Sequence, residues 1–274
     1  MHSSDLPTDI SFSAPTMNTV GMETASGMRD GSSFRHALLD AAHVQRRLSG
    51  PRSLYRGDFE FARESFPLEI VSGDFAAFFE CGGTRMAIAI GDIAGKGLAA
   101  AMWSPTLMCL LRAHCSSLQD AGQVLSAINS DLCYMQPDPP LTTMFVGFLD
   151  WKKGTLSYAN AGHPTPFVMG NDLQARGLKD GGAVLGALPT ARFSSCDLAF
   201  RPGDTLVTFT DGASELWSPN GEEYGEERLR ASAARRVPES ASELLLSLIA
   251  ELQDHAAGNR RGDDLTMLVV RRCM

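Results

Sequence analysis

Four aspartates at the ends of apolar runs are the side chains of this sequence best suited to chemistry. Asp74, Asp92 and Asp211 each follow such a run, and Asp263 stands just before another. Because loops from distant strands converge at the ends of a sheet, we expect these carboxylates to meet although they are far apart in the chain. A group of carboxylates stays ionised only when cations compensate its charge. Oxygen ligands of this kind select Mg²⁺ or Mn²⁺ rather than zinc.

Glycines beside two of these aspartates suit a metal site. Gly91 precedes Asp92 and Gly212 follows Asp211. Such glycines permit close turns that direct a carboxylate and a backbone carbonyl toward an ion. The alternative is that these dipeptides are ordinary turn formers. The fourfold repetition at strand ends favours the metal-binding interpretation.

The same aspartates lie within eight motifs that occur in a characteristic order. The motifs are VSGDF, GDIAGKGLAAAM, TTMFVGFLD, LSYANAGHPTP, LGALP, PGDTLVTFTDGASE, YGEERL and DDLTMLVV. From about Ala42 to Arg271 the chain resembles the SpoIIE/RsbU branch of the PPM metal-dependent protein phosphatases. One such motif is weak, but eight in order are specific.

The resemblance implies an α+β fold with four layers, αββα, in which an antiparallel β-sandwich is flanked by helices. It also implies two Mn²⁺ or Mg²⁺ ions at one end of the sandwich. The residues that match metal ligands are Asp74, Asp92, Ile93, Asp211 and Asp263, with Asp264 as the alternative to Asp263.

Each ligand has a separate role in the resemblance. Asp92 matches the carboxylate that bridges both ions, and Ile93 matches a backbone-carbonyl ligand. Asp74 matches a ligand of one ion, whereas Asp211 and Asp263 match ligands of the other. A water shared by two such cations loses its proton near neutral pH and attacks phosphorus in line. We therefore expect Asp92 and Asp211 to be catalytic, and no enzyme nucleophile is required.

The substrate class follows from the family alone. Relatives in this branch act on phosphoserine or phosphothreonine of STAS-domain anti-anti-sigma proteins in bacterial partner-switching pathways. The resemblance thus implies a protein serine/threonine phosphatase with such a phosphoprotein as its substrate. We also expect control by a regulatory protein or by the N-terminal helix.

Two further residues are candidates for substrate binding. Lys96 lies next to the turn that carries Asp92 and has the length to reach a phosphate. The alternative is a solvated lysine at the start of a helix. His163 in the sequence AGHP suits a general acid. It equally suits a hydrogen-bonded structural histidine, which is the interpretation that we favour.

Two other functions compete with the phosphatase. The segment Gly95–Ala100 satisfies the loose dinucleotide fingerprint GxGxxG/A. A dinucleotide-binding oxidoreductase would need a second parallel strand soon afterwards, and the sequence shows a second helical pattern instead. The other competitor is a catalytically silent binding module with a phosphatase fold, but all four aspartate positions retain Asp.

The predicted elements supply an α+β framework for these residues. Strand-like runs cover 67–71, 86–90, 142–149, 155–160, 205–209 and 265–271. Connections at 151–154 and 169–172 are typical of hairpins and imply antiparallel pairing. Helical patterns cover 118–132 and 98–113, and we expect Pro105 to divide the latter into two pieces. A capping box at Ser240 and Glu243 predicts a further helix striped by leucines.

The chain divides into three regions. Residues 1–33 lack periodicity and are predicted to be a flexible tail. Residues 34–50 are predicted to form a helix that ends at Gly50 and Pro51 and could mediate a homodimer. Residues 51–274 are predicted to form the catalytic domain.

The composition excludes several classes of protein. The 274 residues carry 24 Lys and Arg against 32 Asp and Glu, a net charge of −8. Such a balance repels nucleic acid and anionic membranes. The six cysteines show no CxxC pairing, so neither a zinc site nor a disulfide framework is predicted. With no signal peptide or spanning segment evident, we expect a cytoplasmic protein.

Overall fold

The computed structural model describes residues 31–135, 138–170, 172–236 and 240–274. Its helices are α1 (Gly31–Leu48), α2 (Leu98–Ser117), α3 (Ala121–Met135), α4 (Asp211–Ser214), α5 (Glu226–Ala234) and α6 (Ala241–Ala256). Its strands are β1 (Ser53–Arg56), β2 (Phe59–Phe66), β3 (Phe75–Glu80), β4 (Arg85–Ile93), β5 (Thr142–Asp150), β6 (Thr155–Ala161), β7 (Phe167–Met169), β8 (Ala175–Gly177), β9 (Gly181–Gly182), β10 (Cys196–Ala199), β11 (Thr205–Phe209) and β12 (Leu265–Arg272).

The strands form two sheets with almost entirely antiparallel pairing. One sheet has the order β1-β2-β12-β11-β7-β8, and the other has the order β10-β6-β5-β4-β3. The short strand β9 adds to β6 in parallel. Both neighbours of β4 are antiparallel to it, which excludes the parallel βαβ unit that a dinucleotide-binding site requires.

Three apolar clusters hold four layers together. Phe61, Phe78 and Phe145 pack between the two sheets. Leu111 and Ile128 belong to the cluster between α2, α3 and the β3–β6 sheet. On the opposite side, α5 and α6 pack against the sheet that contains β11 and β12. The predicted α+β class and αββα layering are therefore confirmed.

Helix α6 begins at the capping box that the sequence predicts. The Ser240 hydroxyl accepts a hydrogen bond from the Glu243 amide, and the Glu243 carboxylate accepts one from the Ser240 amide. This reciprocal pair satisfies donors that a helix start would otherwise leave unpaired. The predicted capping box is confirmed, and the leucine stripe faces the sheet.

Helix α2 is continuous through Pro105, so the predicted division into two pieces is wrong. Proline has no N–H to donate to the carbonyl four residues earlier. That carbonyl belongs to Ala101, and it accepts a hydrogen bond of 3.0 Å from Nε2 of Gln45 in α1. A side chain of the N-terminal helix thus replaces the missing main-chain donor.

The strand predicted at 67–71 is also wrong. These residues form bends between β2 and β3, two strands that the sequence patterns did not reveal. Pro67 cannot donate to a strand partner, which favours the end of β2 at Phe66. The bends are held instead by side chains, since the Leu68 amide donates to Asp264 and the Ser72 amide donates to Gln45.

Helix α1 packs against the start of α2. Its buried Ala42 contacts Val71 and Ala101, and the Arg112 side chain donates to the Leu48 carbonyl. The helix begins at Gly31, three residues earlier than predicted, and the rest of the predicted tail lies outside the described residues. In the described ranges, none of the helices is long and apolar enough to cross a lipid bilayer.

Candidate metal centre

The turn from β4 to α2 places Asp92 and Ile93 at one end of the sandwich. Asp92 is paired with Thr143 in the adjacent strand β5. A Cβ added at Gly91 would lie 2.6 Å from the Thr143 carbonyl oxygen, so glycine permits this close approach of strands. The Ile93 carbonyl oxygen lies 3.4 Å from the corresponding position on Gly73, and it therefore faces the segment that precedes Asp74.

Asp74 and Asp92 destabilise each other's ionised forms. Asp74 is buried and accepts a hydrogen bond of 2.8 Å from the Thr210 hydroxyl. Burial, followed by the charge of Asp92, raises the pKa of Asp74 well above its ordinary value. Burial and then the charge of Asp211 raise the pKa of Asp92 to about 6, although a hydrogen bond with Asp74 opposes the shift. The two raised pKa values indicate a site in which negative charge is not compensated by nearby positive charge.

Asp211 and Asp263 come together because two chain segments touch. A Cβ added at Gly212 would lie 1.8 Å from the Asp264 carbonyl oxygen, so the backbone at the start of α4 abuts the backbone before β12. Burial raises the pKa of Asp211, and the charge of Asp263 raises it further. Asp263 is partly exposed and forms an ion pair of 2.9 Å with Nζ of Lys96.

Asp264 has a different set of contacts from its neighbour. Its carboxylate accepts hydrogen bonds from the Leu68 amide at 2.6 Å, the Ser72 hydroxyl at 2.7 Å and the Gly73 amide at 3.0 Å. Three donors leave this carboxylate committed to holding the 67–73 segment. The contacts therefore favour Asp263 over Asp264 as the residue available to a metal.

The donor chemistry of this acidic group fits hard divalent cations. The side-chain ligands on offer are carboxylates, and the Ile93 carbonyl adds a neutral oxygen, a set that suits Mg²⁺ or Mn²⁺. Within the described ranges, no three Asp, Glu, His or Cys side chains already stand in an arrangement that holds a metal. In the metal-free structure the Asp263 carboxylate is paired with Lys96.

The two residues expected to bind substrate lie in contrasting surroundings. Lys96 is exposed and also donates to the Gly262 carbonyl at 2.8 Å, so it links the α2 start to the segment before β12. His163 is buried, and its Nδ1 lies 2.9 Å from the Thr143 hydroxyl. Burial lowers the pKa of His163 to about 3, which leaves the ring neutral. The geometry does not fit substrate binding by His163 and fits the alternative of a structural histidine.

Residues outside the predicted set contribute to the same end of the sandwich. Thr210 hydrogen-bonds Asp74, and Ser72 hydrogen-bonds Asp264. Glu215 lies at the surface, and its pKa is raised first by partial loss of hydration and then by the charge of Asp211. Thr210 and Glu215 belong to the motif TFTDGASE, so proximity to Asp211 in sequence was the signal that could have identified them.

The architecture is similar to that of the PP2C domain of SiaA from Pseudomonas aeruginosa. The TM-score is 0.76 at 18% identity, and the match covers 88% of this chain and 98% of that one. The four layers and the acidic end of the sandwich thus define a protein of the PP2C-type phosphatase fold.

The family is set by a match to the model for Stage II sporulation protein E (SpoIIE), which covers residues 82–273. The chain therefore belongs to the SpoIIE family, and the resemblance recognised from its motifs is confirmed. It is 31% identical over 233 residues to Protein IcfG of Synechocystis sp., a match that covers 75% of this chain and 37% of IcfG. It is 29% identical over 249 residues to the phosphoserine phosphatase RsbU of Bacillus subtilis, with 85% of this chain and 69% of RsbU covered.

The raised pKa of Asp92 predicts how stability depends on pH in the absence of divalent ions. The folded chain keeps a proton on Asp92 up to about pH 6, whereas the unfolded chain releases it near pH 4. Stability should therefore fall as pH rises from about 4 to 6, by on the order of 2 to 3 kcal/mol. Asp92→Asn should make the measured fall smaller, and Asp74 and Asp211, whose pKa values are also raised, account for the remainder. Urea unfolding in EDTA at several pH values measures the free energy of unfolding, and Asp40→Asn, at an exposed position, is the control. An equal dependence on pH in the wild type and in Asp92→Asn would contradict a raised pKa at Asp92.

The contacts of Asp263 and Asp264 predict opposite effects of the two asparagine substitutions. Asp264→Asn removes charge-assisted hydrogen bonds to the 67–73 segment and should lower stability by about 2 kcal/mol. Asp263→Asn should change metal-free stability by less than about 0.5 kcal/mol but weaken Mn²⁺ binding. Chemical denaturation and calorimetric titration with Mn²⁺ separate the two effects. A stable Asp264→Asn variant that has lost Mn²⁺ binding would reverse the assignment.

Proposed function

We propose that this chain is a metal-dependent protein serine/threonine phosphatase. The observation that supports the proposal most strongly is the group of mutually repelling carboxylates at one end of a PP2C-type sandwich. Its members Asp74, Asp92 and Asp211 all have raised pKa values. A binding module would have no use for this unfavourable arrangement of charge.

Each residue of the acidic site has a separate role in the proposed reaction. When two Mn²⁺ or Mg²⁺ ions are bound, they supply a lowered pKa for water and offset negative charge on a phosphoryl group. Asp92 would hold both ions, the Ile93 carbonyl would supply a backbone ligand, Asp74 would hold one ion, and Asp211 with Asp263 the other. Lys96, now paired with Asp263, would bind a phosphate oxygen once that ion pair opens.

The proposal predicts the loss of divalent-dependent hydrolysis when a ligand is neutralised. Asp211→Asn should lower the Mn²⁺-dependent rate on p-nitrophenyl phosphate by at least roughly 100-fold, because the affected ion stabilises the transition state. Asp40→Asn on α1 is the matched control and should retain full activity. If the folded wild type shows no hydrolysis with Mn²⁺ or Mg²⁺ yet binds a phosphoprotein, the silent binding module is the correct function.

The substrate that we propose is a phosphorylated STAS-domain anti-anti-sigma protein in a partner-switching pathway. The support is membership of the SpoIIE family and the similarity to RsbU, a phosphoserine phosphatase. A regulatory protein would then act through the region around α1. Phosphoproteomics of a strain that lacks the enzyme should show one STAS-domain protein with increased serine or threonine phosphorylation.

We further propose that α1 mediates a homodimer. One face of the helix carries Ala42 and Gln45 and packs on the catalytic domain. Apolar residues recur on a second stripe at Phe34, Ala37, Ala41, Val44 and Leu48, the spacing of a coiled-coil seam. Phe34 and Val44 are 63% and 55% exposed, so the stripe is open to a second copy of the same helix.

The dimer can be tested by placing charge in this stripe. Phe34→Glu combined with Val44→Glu should convert a dimer into a monomer, because like charges would face each other across the twofold axis. Light scattering after size-exclusion chromatography measures the mass. Arg35→Glu combined with Arg47→Glu changes charge elsewhere on α1 and serves as the control. A wild type that is monomeric throughout the micromolar range would refute the proposal.

A further inference from the structure

A cavity of about 100 Å³ lies between α1, strand β2 and the segment that leads into β3. Its lining does not include Lys96 or Asp263, but Asp74 of the acidic group forms part of its wall. Three arginines line it, Arg46 and Arg52 together with Arg63, and so do hydroxyl side chains that include Ser49, Ser65 and Ser104. Guanidinium and hydroxyl groups are donors that bind oxyanions, so the lining chemistry differs from that of the carboxylate-rich end of the sandwich.

Arg63 is the buried cation of this cavity, with 6% of its surface exposed. Its Nε donates to the Pro51 carbonyl at 3.0 Å and its Nη2 donates to the Gly50 carbonyl at 2.6 Å. In the part of the chain that the structure describes, Nη1 makes no hydrogen bond and no carboxylate forms an ion pair with this guanidinium. Burial lowers the pKa of Arg63 to about 10, so the side chain remains charged at neutral pH.

A buried charge of this kind is costly unless an anion compensates it. Two carbonyl oxygens satisfy part of its hydrogen-bonding capacity but carry no formal charge. The charge of Glu64 acts on Arg63, but that carboxylate forms its ion pair with Arg52. Arg46, exposed on the last turn of α1, adds to the positive potential, whereas the charge of Arg52 is offset by its ion pair with Glu64 at 3.3 Å. Among the lining residues, Asp74 is the carboxylate, and it is directed to Thr210 and Asp92.

We propose that this cavity binds a small phosphate-class oxyanion, either inorganic phosphate or the phosphate group of a small metabolite. The volume exceeds the ~30 Å³ that a water molecule occupies in the liquid several times and is well below the roughly 300 Å³ of a pocket for a drug-sized ligand. It therefore suits the phosphate head of a small compound. A bound anion would join Arg46 of α1 to Arg63 of β2 and so fasten α1 to the sandwich.

The test is phosphate binding to the full-length chain, measured by isothermal titration calorimetry in EDTA. EDTA removes the divalent ions through which the proposed catalytic site would hold phosphate, so the result does not depend on the proposed catalytic function. Arg46→Gln combined with Arg52→Gln leaves the buried Arg63 in place and should weaken phosphate binding at least tenfold. Arg35→Gln combined with Arg47→Gln removes the same charge from α1 outside the cavity and should leave affinity within twofold of the wild type.

Two further ligands identify the source and the class of the anion. Glycerol 3-phosphate that binds tighter than inorganic phosphate, with the same dependence on Arg46 and Arg52, indicates a metabolite; the reverse order indicates the free ion. Acetate at matched ionic strength should bind at least tenfold more weakly than either. Equal phosphate affinity in both double variants, equal binding of acetate, or no phosphate binding by the wild type would each overturn the proposal.

Discussion

The central physical constraint on this structure is the repulsion among the partly buried carboxylates of Asp74, Asp92 and Asp211. Strand pairing brings Asp92 beside Thr143, and backbone contact at Gly212 brings the Asp211 turn against residues 263 and 264. The resulting positions disfavour the ionised forms of Asp74, Asp92 and Asp211, because burial and mutual charge raise their pKa values. The apolar packing of four layers must therefore hold together a site that opposes its own assembly.

The order of the motifs made the architecture and the acidic residues predictable. Each aspartate ends or begins an apolar run, and the αββα layers followed from the family to which the motifs belong. Local chemistry was equally informative at Ser240 and Glu243, where both halves of a capping box lie within four residues. These features are short-range or carried by many residues at once, so a sequence displays them directly.

Other features depended on contacts between distant segments. Pro105 alone indicates a break in α2, and only the donor from Gln45, sixty residues earlier in the chain, shows why the helix continues. Adjacent Asp263 and Asp264 are indistinguishable in sequence, yet one meets Lys96 and the other meets three donors from the 67–73 segment. The burial of His163 beside Thr143 is likewise invisible in the sequence.

Gln45 makes α1 part of the catalytic domain in a physical sense. Its amide nitrogen reaches the carbonyls of both Ala101 and Ser72, and its oxygen accepts from the Ser72 amide. A chain shortened to begin at residue 51, where the sequence suggests a domain boundary, would lose all three bonds at once. The first turns of α2 and the approach to Asp74 would then depend on water for the same groups, so a boundary at residue 51 would separate hydrogen-bonding partners.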